Sequence, residues 1–267
     1  MEKIAIRMRS RISTRNLFWD AEQTHLVQKR NQLRYSSGIA KTPDCPDIKD
    51  LAQAPIPSPE NYSNQRLPRK KRIIVALTGA TGAPLAASIL LQLRNLGVET
   101  HLILSKWGNA TLKYELEAPQ NDGAYLHSLA TTSYNPSDVS APPSSGSFKT
   151  DGMIVVPCSM KTLAGIRMGY DNDLIVRAAS VTLKERRRLV LAARETPLSS
   201  IHLENMLEVT RAGAVVFPPV MAFYTKPKEV QDMVDQSVMR MIDLLDLRLD
   251  EHDEGGKRWV GFEWSRK

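Results

Sequence analysis

The sequence predicts an α/β fold: a parallel sheet flanked by helices. Wholly or nearly apolar runs recur from Arg72 onward, as RIIVAL, HLILS, GMIVVP, RLVLAA and AVVFPP. Short uninterrupted apolar runs suit strands covered on both faces, as parallel sheets require. Longer segments of helical character separate them, at 84–96, 106–116, 171–187 and 199–211, with a last one at 228–249. Strand and helix in alternation call for parallel crossover connections. Small polar residues follow nearly every strand, and in a parallel sheet all those carboxyl ends share one edge, where open α/β folds bind ligands.

The first strand, RIIVAL, runs into TGATGAPL, Thr78 to Leu85. Gly79 and Gly82 permit a tight turn and close backbone approach, and Pro84 suits a first helical turn. Amides at that helix start can hold an anion; the same glycines also serve a plain strand-to-helix turn. The dinucleotide fingerprint G-x-G-x-x-G is absent, since Gly79 and Gly82 are three apart with no third glycine following. The second strand ends in Ser105-Lys106, where a dinucleotide fold would usually place an acid for the ribose. A mononucleotide or flavin phosphate therefore fits better than NAD. The third strand leads to Ser159-Met160-Lys161-Thr162, the fourth to Arg194-Glu195-Thr196, and the fifth through Pro218-Pro219 to Phe223-Tyr224. Region 118–150, with its APPSSGSF stretch, reads as a long loop or flap, a feature that is usually functional in a compact domain.

Composition narrows the class. The net charge of +7 is concentrated at the start: residues 1–35 carry eight basic and three acidic side chains, leaving +2 for the rest. A nearly neutral domain behind a basic leader is not an electrostatic footprint for nucleic acid. Residues 1–35 read as a mitochondrial targeting segment for the matrix, with cleavage near Tyr35; a basic tail is the alternative. Residues 36–70, holding Pro43, Pro46, Pro55, Pro57, Pro59 and Pro68, read as a disordered linker, and 71–260 as the folded domain, with 261–267 a tail. No apolar run approaches the roughly 20 residues of a membrane-spanning helix. Cys45 and Cys158 are too few for a disulfide framework and pair with no histidine at metal-ligand spacing, so no metal site is expected. Cys158 reads as a small buried hydrophobe, and Arg186, Arg187 and Arg188 as surface.

TGATGAPL, LILSKWG, GMIVVPCSMKTLAGI, RAASVTLKERRRLVLAARETPLSSIHLENM and FPPVMAFYTKP together resemble the flavin prenyltransferase family, over roughly residues 72–260. That family comprises bacterial UbiX and fungal mitochondrial enzymes once called phenylacrylic acid decarboxylases. The resemblance implies a Rossmann-like flavoprotein fold assembling into a homododecamer. It also implies transfer of a dimethylallyl group from dimethylallyl phosphate to reduced FMN, giving prenylated FMN for a partner UbiD-type decarboxylase. By the same resemblance, Gly79, Ala80, Thr81, Ser105, Ser159, Met160, Lys161, Thr162 and Arg194 contact FMN, with Thr81 standing where bacterial members usually have serine. Arg177, Lys184, Tyr224 and Arg240 face the donor phosphate, Glu195 is the acid–base residue, and Glu115 lies near the prenyl site.

The chemistry suits these residue types. Loss of phosphate without a metal is helped by cations and by protonation of the leaving oxygens. Arg177 and Lys184, seven apart, share a helix face. A carboxylate partly desolvated near a phosphate, as expected for Glu195, would hold its proton more firmly. Trp259 matches a family tryptophan whose indole face would stabilise a developing allylic cation; a packing anchor is the alternative. His202 reads as a packing or interface residue. The competing functions are an FMN-dependent aromatic acid decarboxylase and a non-catalytic FMN-binding regulatory protein, neither of which needs a second phosphate site.

Overall fold

The computed structural model describes residues 69–247 and Gly261, all within the compact unit Arg66–Lys267. The leader, nearly all of the linker, Cys45, Trp259 and the tail beyond Gly261 lie outside the described residues. The strands are β1 (Arg72–Leu77), β2 (Glu99–Leu104), β3 (Thr132–Tyr134), β4 (Gly152–Cys158), β5 (Arg188–Ala193) and β6 (Val215–Val216). All pair in parallel, in the order β3-β2-β1-β4-β5-β6. The chain therefore begins at the centre of the sheet, builds one half outward, then returns to build the other.

Seven α-helices flank the sheet among the described residues: α1 (Ala83–Asn95), α2 (Lys106–Glu115), α3 (Gly123–Leu129), α4 (Met160–Met168), α5 (Leu174–Lys184), α6 (Ser200–Arg211) and α7 (Val230–Leu244). Side chains alternate across β1 because strand residues point to opposite faces. Ile73, Val75 and Leu77 join one core with buried residues of α1, α2, α3 and α7. Ile74 and Ala76 join the other, with α4, α5 and Val209 of α6. In α1, Leu85, Ala86, Ile89, Leu90 and Leu93 repeat at helical spacing and are all buried. Burying a leucine such as Leu90 contributes about 1.5–3 kcal/mol, and Leu90→Ala would cost about 2–5 kcal/mol.

The predicted strands and helices are present with their ends shifted by a few residues. AVVFPP keeps only Val215–Val216 as strand, because Pro218 and Pro219 cannot donate to a ladder. Two readings change. Region 118–150 is partly ordered into α3, β3 and a 3-10 turn at Pro142–Ser144. The segment after β4, for which the sequence offers no helix, opens α4: Ser159 is its N-cap and Gly169, at φ 62°, its left-handed terminus.

Arg187 corrects the reading of its arginine run as surface. Its side chain is only 15% exposed and donates to the carbonyls of Gly146 at 2.7 Å and Phe148 at 3.0 Å. Arg186 adopts φ 56° just past α5, and the Arg187 amide reaches back to the Thr182 carbonyl at 3.0 Å. That left-handed reversal turns the chain toward the loop before β4.

Candidate functional site

The carboxyl ends of the central strands are stitched into one edge. Thr78, 3% exposed, donates from Oγ1 to the Pro157 carbonyl at 2.7 Å and accepts the Ser159 amide at 2.8 Å. The Ser105 amide donates to Leu77 at 3.0 Å, and the Arg194 amide to Cys158 at 3.2 Å. Thr78 joins the β1 turn to the α4 start, a link that nothing in the local sequence advertised. Ser105 and Ser159 are N-caps, accepting from Gly108 and Thr162. Since each Oγ accepts in its cap, its own hydrogen can be aimed elsewhere.

The anion at the α1 start belongs to the chain itself. Glu115 Oε2 accepts from the amides of Gly82 at 2.8 Å and Ala83 at 2.7 Å. Gly82, at φ 127°, presents its amide in a conformation that side-chain-bearing residues rarely adopt. The turn thus forms an anionic wall instead of an open phosphate cradle, and an incoming phosphate must use other donors. Gly79 has a packing reason as well, because a Cβ there would collide with Cβ of Trp107 on α2.

A cleft of about 440 Å³ opens beside this turn. Thr81, Glu115 and Arg194 line it together with Met221, Met233 and Val234. One apolar wall facing one carboxylate and one guanidinium is how small-molecule sites combine volume with orientation. Glu195, adjacent to Arg194, is exposed, and its Oε1 accepts the Thr196 amide at 3.1 Å. The partial desolvation expected for Glu195 is absent in a single chain. Tyr224 Oη accepts from Gln236 Nε2 at 3.2 Å, and Arg240 follows Gln236 by one turn on α7, so the two lie along one helix face. Arg240 pairs with Asp243 at 2.8 Å.

Arg177 and Lys184 sit elsewhere. Arg177 donates from Nε to the Ser144 carbonyl at 3.1 Å and from Nη1 to Asp171 at 2.9 Å. Lys184 pairs with Glu185 at 2.5 Å, both against Gly146, where a Cβ would stand 2.8 Å from the ammonium nitrogen. Lys184 precedes β5 and Glu195 follows it. The six residues of β5 lie between them, end to end roughly 17 Å at about 3.3 Å per step. The shared helix face was read correctly, but within one chain α5 ends at the edge opposite the cleft.

Cys158 is buried, and burial pushes its thiol up to about 12, which leaves no thiolate to act as a nucleophile near neutral pH. His202 belongs to a capping box: its Nδ1 accepts the Ser199 amide and Ser199 Oγ accepts the His202 amide. Among the described residues, no group of three or more His, Cys, Asp or Glu is placed to hold a metal, and no helix is long and apolar enough to cross a membrane.

Comparison with known proteins decides the family. The Flavoprotein family profile matches residues 61–242. A mitochondrial flavin prenyltransferase of Saccharomyces cerevisiae is 56% identical over 196 residues, which are 73% of this chain and 78% of that one. This chain belongs to the flavin prenyltransferase family. Among solved structures of similar proteins, AnUbiX in complex with FMN and dimethylallyl pyrophosphate is 59% identical, with a TM-score of 0.68, covering 73% of this chain and all of that one. A dodecameric FMN-dependent UbiX-like decarboxylase of Escherichia coli is 51% identical, with a TM-score of 0.67, covering 71% of this chain and all of that one. The Rossmann-like fold of this flavin prenyltransferase is common to both.

The cleft suits FMN. Its methionine and valine wall matches a flat apolar ring, and Thr81 and Arg194 place polar groups in the same lining.

Proposed function

We propose that this flavin prenyltransferase joins the dimethylallyl group of dimethylallyl monophosphate to reduced FMN, and that a UbiD-type decarboxylase uses the product. The observation that carries the reading is the cleft itself, where an anchored carboxylate and an arginine meet an apolar wall at the carboxyl edge of the sheet. Bound FMN supplies the electron-rich ring that accepts the allyl carbon. Gly79, Ala80, Thr81, Ser105, Ser159, Met160, Lys161, Thr162 and Arg194 hold it. Met221, Met233 and Val234 keep water from the developing allylic cation, while the fixed Glu115 carboxylate offsets its charge. As the carbon–oxygen bond breaks, its electron pair leaves with the phosphate. Arg177, Lys184, Tyr224 and Arg240 neutralise that oxygen, and Glu195 delivers a proton to it. Trp259 completes the prenyl pocket.

Because α5 does not line the cleft of its own chain, these roles require a neighbouring copy to bring Arg177 and Lys184 to it. A homododecamer of this chain would provide such neighbours, and the Escherichia coli relative is dodecameric. The apolar side chains of Ile201, Val220 and Phe223, all at least 67% exposed, are suited to burial between copies. The leader directs the protein to the mitochondrial matrix, which N-terminal sequencing of the mature organellar protein would check.

The activity is tested by giving purified protein reduced FMN and dimethylallyl monophosphate. Mass spectrometry should show a flavin heavier by one dimethylallyl unit. Unmodified FMN, with binding intact, would overturn the reading, and carbon dioxide released from an aromatic acrylate by this protein alone would replace it with the decarboxylase.

A further inference from the structure

Arg177 is held in a way its own helix does not explain. It stands in the first turn of α5, whose N-cap is Asp173, accepting the Val176 amide at 2.9 Å. The carboxylate that meets the guanidinium is a different one. Asp171, in the link between α4 and α5, accepts from Arg177 Nη1 through Oδ2 at 2.9 Å. Its other oxygen accepts from Ser180 Oγ at 2.6 Å. On the opposite side, Arg177 Nε is tied to the Ser144 carbonyl at 3.1 Å.

The guanidinium is therefore pinned through Nε and one hydrogen of Nη1. The remaining donors, one on Nη1 and two on Nη2, have no hydrogen-bond acceptor among the described residues. Those hydrogens, two of them on Nη2, are the donors left to fork onto the oxygens of a phosphate. A free arginine loses considerable rotamer freedom when it binds an anion; one already pinned has lost it beforehand. Asp171 is itself immobilised by Ser180, which sits one turn from Arg177 on the same helix.

We propose that Asp171, oriented by Ser180, is a positioning residue that presents the free fork of Arg177 to the phosphate of the prenyl donor. The inference rests on the reading of Arg177 as a donor-phosphate ligand. Asp171 touches neither the donor nor FMN and acts only through Arg177.

The test compares full-length enzyme variants by the KM for dimethylallyl monophosphate, kcat, FMN affinity and thermal midpoint. Asp171→Asn should raise the donor KM about five- to tenfold with kcat within about twofold, the pattern of lost binding that ground and transition states share. FMN affinity and thermal midpoint should not move. In an Arg177→Ala background the same change should add nothing. Moving the carboxylate, by Asp171→Ser with Ser180→Asp, places it three residues from Arg177 on α5 and should restore the donor KM. An unchanged or lowered donor KM in Asp171→Asn overturns the proposal, as does an equal effect with and without Arg177. If Arg177→Ala itself leaves the donor KM unaltered, the donor-site reading falls and this inference falls with it.

Discussion

Thr78 Oγ1 lies between two backbone groups at the edge that forms the site. In Thr78→Val the Pro157 carbonyl keeps the Thr78 amide, but the Ser159 amide loses its partner. An unsatisfied buried amide costs about 1–3 kcal/mol, and Ser159 is half-buried, so denaturant unfolding should show a loss toward the lower end of that range. FMN affinity should fall too if, as proposed, the helix that Ser159 caps contacts the flavin. Glu195 presents a different problem: in one chain it is exposed and bonded to its neighbouring amide, so the acid–base role proposed for it depends on what assembly places around it. Glu195→Gln should retain FMN binding and slow single turnover by roughly 10²–10⁴-fold, the usual worth of a positioned proton donor. An unchanged single-turnover rate would remove that role.

Among the elements, α1 shows a helix start completed from a distant part of the chain. Glu115 closes α2 and accepts two amides of α1, placing a negative charge where the helix dipole favours one. Glu115→Ala should cost about 1–2 kcal/mol in unfolding free energy and slow prenyl transfer more than it weakens FMN binding. At the opposite edge, β1, β2 and β3 are joined by a polar network. Arg72 holds Glu99 with two hydrogen bonds, at 2.8 and 3.0 Å. Glu99 also meets His101 Nε2 at 2.8 Å, and Tyr134 Oη lies 2.8 Å from Nδ1. Burial holds the His101 imidazole below its ordinary 6.5 despite the pull of Glu99. Neutral His101 thus donates from Nε2 to the carboxylate and accepts from Tyr134. As pH falls below 6.5, the unfolded chain takes up a proton that folded His101 resists, so stability must fall. Burial alone would raise the Glu99 carboxyl, but its bonds to Arg72 and His101 outweigh that and hold it below 4.5. Its contribution is complete above 4.5 and is lost as pH drops through the folded value. Urea midpoints should therefore decline from pH 7 to pH 5, and His101→Gln should flatten that decline.

At the scale of the whole molecule, the proposed roles of Arg177 and Lys184 would make assembly part of the chemistry, since α5 is separate from the cleft. If each site draws Glu195 from one copy and Arg177 from another, two inactive variants can repair one another. Arg177→Ala and Glu195→Gln proteins, dissociated and reassembled together, should recover a fraction of wild-type turnover that neither shows alone. Without recovery, in mixed oligomers verified by mass, both residues must act within one chain.

The strands and most helices were legible because their signals are local. A strand buried on both faces is continuously apolar, as β1 and β4 are, and Ser105, Ser159 and Asp173 cap helices within three residues of themselves. Short elements escaped: β3 is only Thr132–Tyr134 and exists through its pairing with β2. By itself the sequence determined the parallel sheet with its flanking helices and the glycine turn between β1 and α1. Tertiary structure decided that Glu115 occupies the α1 amides, that Arg187 is enclosed by the loop before β4, and that Lys184 and Glu195 stand at opposite edges. Each of these depends on where segments meet in space, and the direction of β5 separates two residues that the family resemblance assigned to one site.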